Sequence, residues 1–363
     1  MEKFDDIFID DTRNVERVSS KEYLKKGEIA IVDQGKEKII GYTNCKTYKV
    51  CKEERIIFGD HTRIFKYINV PFITGADGTK VLKIRDVSKY SYKYLYYYLL
   101  HSYIPDTGYN RHFKWIKELN FDVPIIDEQI KIANKLDKIQ ILIDIRKKQI
   151  EDLDELIKSQ FVEMFENENR YVNLEDVCIF INGDRGKNYP SADKISKNSN
   201  GVPFINAGLL TNNTVDWENM NYISEETYNK LGAGKIQKDD ILYCLRGSLG
   251  KHAIIDFDNK GAIASSLVIL RANQNKIQPN FLLIQLGMDE IIRQQNQANN
   301  GSSQPNLSAS SVKKYKIKLP NIEMQNKFVN IVKQIDKQKF EIQKSLEEIQ
   351  KLQESLMNKY FGE

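Results

Sequence analysis

Apolar side chains recur in alternating steps of four and three along two stretches of the chain. The first stripe runs Ile132, Leu136, Ile139, Ile143, Arg146, Ile150, Leu153, Ile157, Gln160, Met164. The second runs Phe328, Val332, Ile335, Lys339, Ile342, Leu346, Ile349, Gln353, Leu356, Tyr360. Such steps keep residues on one side of an α-helix, and over this length they form a seam that wants a partner helix. Each stretch predicts a helix of about 39 residues, about 58 Å long at 1.5 Å per residue. The polar members Arg146, Gln160, Lys339 and Gln353 weaken the seam, but they can also fix its register.

The two stretches repeat one another. Residues 123–165 align without a gap onto 319–361 at an offset of 196, Pro124 falling on Pro320. Gln129 falls on Gln325, Asn134 on Asn330, Glu151 on Glu347, Ser159 on Ser355 and Phe165 on Phe361. The two prolines stand where a strand can end and a helix begin. The order module, helix, module, helix lets the two helices pack antiparallel against each other. The alternative is that each helix recruits another protein or a second copy of the chain.

Short β-type runs, punctuated by Gly and Asp, fill the first module at 28–32, 39–43, 55–58 and 79–83, and a helical stretch follows at 92–102. The second module has runs at 240–245, 252–255 and 266–270, then a helical stretch near 279–294. Each module ends in a loop, a short helix and a final strand that feeds a long helix, while the bodies differ. The expected fold is therefore α+β, with two globular domains separated by two long antiparallel coiled-coil helices in a pseudo-twofold internal repeat. The expected parts are 1–122, 123–165, 166–318 and 319–363. Tyr94, Tyr96, Tyr97 and Tyr98 lie at helical spacing, which reads as core and subunit contact rather than as a base-stacking surface.

Charge adds little to this picture. Lys and Arg total 54 against 50 Asp and Glu, a formal net charge of +4, so only local clustering could mark a nucleic-acid surface. Cys45, Cys51, Cys178 and Cys244 form no Cys-x-x-Cys pair and lack His at zinc-finger spacing, so they read as buried or idle thiols in a reducing cytosol. The acidic start, Met1 to Asp6, does not resemble a signal peptide. The greasiest run, 94–100, is too short to cross a bilayer. A cytoplasmic protein without membrane contact is expected.

Taken together, these motifs resemble the specificity subunit of type I restriction-modification systems, over nearly the whole chain. Pro-x-x-x-x-Gln at 124–129 and 320–325 matches that family's repeated spacer regions. Phe58-Gly59-Asp60-His61-Thr62-Arg63, then Phe72, Asp77-Gly78, Gly108-Tyr109 and Arg111-His112-Phe113, resembles one class of its target-recognition domains. Asp240-Ile241-Leu242 followed by Arg246-Gly247-Ser248-Leu249-Gly250 is a frequent signature of the second domain. The resemblance implies double-stranded DNA as ligand, with one half of a split, asymmetric site read by each domain. It also implies two methyltransferase subunits as partners, which bind S-adenosylmethionine. A restriction motor subunit, when bound, brings ATP and Mg²⁺. No cofactor is expected in this chain itself. A rod of about 58 Å is long enough to hold two modules about one helical turn of DNA apart, roughly 34–36 Å.

The DNA-contact candidates come from polar, glycine-bracketed turns. In the first module they are His61, Arg63, Arg111 and His112. Arg63 and Arg111 suit a bidentate guanine contact, whereas a structural histidine is the competing reading of His112. In the second they are Arg185, Lys187, Asn188 and Tyr189, then Arg246, Ser248 and Lys251, where Gly247 and Gly250 let backbone approach phosphate. Gln304 and Asn306 have the chemistry to bond an adenine edge. Ordinary turn or surface roles compete at every one of these positions. No catalytic residue or metal ligand is expected. The chain has no Pro-Pro dipeptide for an adenine-methylating loop, no Gly-rich loop closing a first strand, no P-loop with Gly-Lys-Ser/Thr, and no convincing Asp/Glu-x-Lys partner downstream of Asp239-Asp240. Two other functional classes stay open on sequence alone: a stand-alone DNA-binding regulator and a helical scaffold.

Overall fold

A computed structural model describes residues 1–211, 213–258, 260–298 and 306–362. Contacts divide the chain into two compact units, 1–149 with 342–363, and 150–341.

In the first unit β1 (Glu2–Lys3), α1 (Phe4–Ile7) and β2 (Phe8–Asp10) precede β3 (Ile29–Val32) and β4 (Gly41–Thr43). Then come β5 (Arg55–Gly59), β6 (Phe65–Ile68), β7 (Phe72–Thr74) and β8 (Thr79–Ile84). The helices α2 (Tyr92–His101) and α3 (Phe113–Lys117) and the strand β9 (Asn120–Phe121) lead into the long α4 (Ile126–Phe165). A four-stranded sheet has the order β2-β8-β5-β6 and a three-stranded one β4-β3-β7, with β3 and β7 parallel. Alternate side chains of β5 enter two different cores. Ile56 and Phe58 face α1, α2, α3 and the start of α4, while Ile57 faces β3, β4 and β7. Burial on both faces explains why this strand reads as a continuous apolar run.

The second unit repeats the frame. It comprises β10 (Tyr171–Asn173), β11 (Cys178–Asn182), β12 (Val202–Ile205), β13 (Leu210–Thr211), β14 (Thr214–Val215), β15 (Tyr222–Ile223), α5 (Glu225–Lys230), β16 (Ile241–Cys244), β17 (His252–Ile254), β18 (Ala262–Ile263) and β19 (Leu267–Ala272). Then follow α6 (Pro279–Leu286), α7 (Asp289–Ala298), α8 (Ala309–Lys313), β20 (Lys316–Lys318) and α9 (Ile322–Phe361). Its sheets, β11-β19-β16-β17 and β15-β12-β18, match those of the first unit strand for strand, including the parallel β12–β18 pair. On β16 the side chains again alternate, Ile241 and Tyr243 to one core, Leu242 and Cys244 to the other.

Each long helix has 40 residues, about 60 Å at 1.5 Å per residue. In the first unit α4 and α9 run antiparallel: Gln353 Nε2 donates to Gln140 Oε1 at 3.0 Å, and Lys135 Nζ to the Tyr360 hydroxyl at 3.4 Å. In the second unit they also run antiparallel, with Lys339 Nζ 2.5 Å from Asp154 Oδ1 and the Phe161 and Phe328 rings 5.5 Å apart, edge to face. Every predicted seam residue is buried or half-buried. The helix halves belong to the modules rather than standing apart. Ile132, Ala133 and Leu136 complete the first core, and Phe161, Phe165, Phe328 and Val332 the second.

The repeated Gln has the same task twice. Buried Gln129 donates to the carbonyls of Lys89 (2.9 Å) and Pro124 (2.8 Å) and accepts from the Ser91 N–H (2.9 Å), just ahead of α2. Buried Gln325 donates to Lys276 and Pro320 carbonyls and accepts from the Gln278 N–H, just ahead of α6. One amide thereby stitches the start of a long helix to the start of a module helix. The stretch 279–294 differs from the single helix expected: it breaks into α6 and α7 around Gly287 and Met288.

Candidate DNA interface

The matched frames bring matched loops together. In the first unit the β5–β6 turn (60–64), the β7–β8 turn (75–78), the loop after β2 and the loop before α3 converge. The His112 N–H donates to the Asp60 carbonyl at 2.8 Å, and the Phe113 N–H to Asp60 Oδ1 at 2.7 Å. In the second unit the Leu307 N–H donates to the Leu245 carbonyl at 2.9 Å, and Arg246 bridges Asn306. By these bonds His61 occupies the place of Arg246, and Arg111 the place of Asn306. Two pairs of candidates drawn from unrelated motifs thus fall on equivalent positions.

Gln34, two residues past β3, is the hub of the first set. Gln34 Oε1 accepts from the His61 N–H (3.2 Å), and its Nε2 donates to the Asp77 carbonyl (2.9 Å). Its main-chain carbonyl accepts from the Thr62 hydroxyl (2.5 Å). The His61 ring bonds the Asn110 carbonyl through Nδ1 at 3.2 Å and stacks on Tyr109, centroids 4.8 Å apart and planes 11° from parallel.

Arg63 is tied to its own unit. With a left-handed φ of 60°, it sends one guanidinium nitrogen to Asp106 (2.6 Å) and another to the Ile104 carbonyl (3.3 Å), fastening the loop after α2. The Gly108 N–H and then the Arg63 charge hold the Asp106 carboxyl below its usual range. Arg111 stays available: its side chain is 70% exposed and lies 3.8 Å from Asp77, which Arg17 also holds at 3.0 Å. Exposed pairs of this kind contribute little stability and exchange readily for a phosphate. His112 is a correction. It is fully buried, with Nδ1 on the Asp60 carbonyl and Nε2 near Thr107, so its ring has no surface to offer DNA.

In the second unit Arg185 reaches the Ser265 carbonyl at 3.1 Å, tying the loop after β11 to the β18–β19 turn. The N–H groups of Gly186 and Gly232 (each 2.8 Å) grip Asp184 and hold its carboxyl down. Lys187, Asn188 and Tyr189 line a cavity of about 430 Å³ with Lys194, Lys230 and the start of α5. Tyr189 also packs edge to face on Phe204, which gives it a structural share. Arg246, Ser248 and Lys251 are exposed on the β16–β17 turn. Gly250 stands at φ 74°, where an L side chain is strained, and an added Cβ would lie 1.9 Å from Gln295 Oε1 and push that side chain aside. Asn306 is exposed; Gln304 lies outside the described residues.

Sequence reading missed Gln34, Arg17 and Gln295, and it placed Tyr109 in a motif without counting it among the DNA-contact candidates. Gln34 carried a faint signal, an Asp-Gln-Gly turn directly after an apolar strand, but its partners are remote in sequence. Asp240, weighed as a nuclease ligand, instead binds Arg271 through both oxygens, each at 2.8 Å. Among the described residues no cluster of three or more His, Cys, Asp or Glu is placed to hold a metal ion, and no helix is long and apolar enough to cross a membrane.

Comparison with known proteins agrees with this frame. The type I restriction enzyme EcoR124I/EcoR124II specificity subunit of Escherichia coli is 25% identical over 349 residues, which is 88% of this chain and 82% of that one. The EcoBI specificity subunit of Escherichia coli is 22% identical over 307 residues, 74% of this chain and 65% of that one. The crystal structure of a type-I restriction-modification system S subunit from M. genitalium superposes with a TM-score of 0.58 at 18% identity, covering 100% of this chain and 96% of that one. A structure described under complex assembly and conformational transition of the type I R-M system gives 0.55 at 15% identity, covering 98% and 97%. The profile of the type I restriction modification DNA specificity domain matches twice, at residues 1–155 and 166–354, and the chain belongs to that family.

Proposed function

We propose that this chain is the DNA specificity subunit of a type I restriction-modification complex, in which each unit reads one half of an asymmetric, two-part site. The observation that carries this reading is one frame present twice with unlike chemistry at equivalent loop positions. His61 and Arg111 stand in one unit where Arg246 and Asn306 stand in the other. Equal frames would approach DNA in the same way; unequal tips would select different bases. Arg111, Arg246 and Asn306 are the proposed base-edge readers, and Lys187, Asn188, Ser248 and Lys251 the proposed phosphate and groove contacts. The proposed partners are double-stranded DNA and two methyltransferase subunits. Those subunits would bring S-adenosylmethionine, and a restriction motor would bring ATP and Mg²⁺; this chain supplies recognition and no chemical step.

The test is methylation in a host lacking other adenine methyltransferases. The chain expressed with its cognate methyltransferase subunits should yield one bipartite, asymmetric methylated motif, and either component alone should yield none. Methylation without a motif, or a motif made by the methyltransferase alone, would reject the reading. Affinity should also fall as salt rises, with a log–log slope near −0.9 per phosphate contact; a flat response would favour a protein scaffold.

A further inference from the structure

Tyr109 is 89% exposed, although its ring lies nearly parallel on His61. The contact with His61 on one side therefore leaves most of the ring, and all of its other side, open to solvent. An aromatic ring in water is costly, and a mobile tip would usually fold such a ring back. Here the tip is fastened on several sides. The Gly108 N–H donates to Asp106 Oδ1 (3.0 Å), the Asn110 side-chain amide donates to the Thr107 carbonyl, and the Asn110 N–H donates to the Gly108 carbonyl (2.8 Å). Gly108 supplies the left-handed turn, φ 74°, with open space around it. Beneath the ring, His61 is fixed by Asn110 on one side and by Gln34 on the other. A rigid, outward aromatic face spends little ordering entropy when a flat partner meets it. It also lies in the loop set that carries Arg111.

We infer that the open face of Tyr109, backed by His61, is a stacking site for a nucleobase in the half-site read by the first unit. This rests on the proposed DNA-reading function. A base face becomes available in duplex DNA where a step is kinked or a neighbouring base is drawn out of the stack. The Tyr109 ring then takes the place of the lost neighbour, and its hydroxyl is not needed. His61 acts as a positioning residue that sets the plane of the ring, and Gln34 fixes His61.

The test uses the complete complex with its methyltransferase subunits and a duplex bearing its methylation motif. Tyr109→Ala should weaken binding to that duplex roughly five- to 150-fold, the range that base–aromatic stacking commands, and leave non-specific binding unchanged. Tyr109→Phe should bind as the parent does. Tyr109→Trp should show emission quenched by cognate DNA, above the background of Trp115 and Trp217. Parent-like binding by Tyr109→Ala, an equal loss in Tyr109→Phe, or an unquenched Trp at 109 would each overturn the stacking site. If the parent complex has no methylation motif, the functional reading itself fails and the stacking site falls with it. A motif that persists beside an indifferent Tyr109→Ala removes the stacking site alone. Because the side chain is exposed, these variants should melt with the parent, and the Phe and Trp variants keep the test valid should Ala disturb the loop.

Discussion

At the scale of single residues, the repeated glutamine is the clearest case of sequence legibility and its limit. Its recurrence at 129 and 325, five residues after a proline whose carbonyl it holds, is visible in the alignment, yet its other partners are backbone groups 38 to 49 residues away, ahead of α2 and α6. No local pattern encodes them. Gln129→Leu keeps the volume but leaves the Ser91 N–H and the Lys89 and Pro124 carbonyls without this partner in a half-buried place. A buried group so left costs about 1–3 kcal/mol, and water reaches part of this set, so urea unfolding of the first unit should shift by about 1–3 kcal/mol, and an unchanged midpoint would refute the stitch. His252 gives a pH prediction of the opposite kind. Burial lowers its pKa from the usual 6.5, against weaker opposition from the Gly250 and Leu283 backbone, and its Nε2 is buried without a hydrogen-bond partner. The unfolded chain thus binds the proton more readily than the fold. Stability is complete above about pH 6.5 and drains away as pH falls through that value. The melting temperature of the second unit should decline between pH 7.5 and 5.5, and His252→Gln should flatten that slope; a parallel slope would assign the effect elsewhere.

At the scale of elements, what could be read depended on length and on burial of both faces. The seams of α4 and α9 were legible because 40 residues repeat one period many times. Strands β3, β5, β8, β16 and β19 were legible as apolar runs. Strand β6 was not, because Lys66 interrupts it; this lysine is buried, donating to the carbonyls of Asp33 (2.7 Å) and Glu37 (2.5 Å). The two-residue strands β1, β13, β14, β15 and β18 are too short for any period, whereas β9, equally short, was legible as the final strand ahead of α4. The polar residues of the seams find unlike partners. Gln353 pairs with Gln140 and Lys339 with Asp154 across the two helices, whereas Arg146 turns to Gln149 on its own helix at 2.8 Å. Gln353→Leu alone should destabilise the first unit by about 1–2 kcal/mol, by leaving the half-buried Gln140 Oε1 without its donor while Gln140 Nε2 still reaches Asp144. Adding Gln140→Leu should recover most of that loss, since removing both partners spares the desolvation penalty. A double variant no more stable than the single one would show that the pair carries no coupling, as a double-mutant cycle measures directly.

At the scale of the whole molecule, the duplicated frame makes recognition modular, and the packing says how an exchange must be made. The sequence suggests cutting at 166 and 318, the limits of the second globular stretch. The core of that unit does not end there. Phe281 on α6 packs between Phe161 and Phe165 of α4 and Phe328 of α9, with ring centroids 6.0, 5.4 and 6.0 Å away. An exchange of 166–318 therefore removes one aromatic of this cluster and leaves three behind. A donor with a large aromatic at the position of Phe281 should fold and assemble. A donor with a small residue there opens a cavity, at a cost of about 3–5 kcal/mol for the lost ring, and should lose assembly or melt early. In the chimera that folds, the methylated motif should keep the half-site read by the first unit and change only the other. The reason is physical: the turns carrying His61 and Arg111 are fastened by Gln34 and Asp60, all inside the first unit. If both halves of the motif changed, the units would not read independently, and the likeness of their frames would no longer explain an asymmetric site.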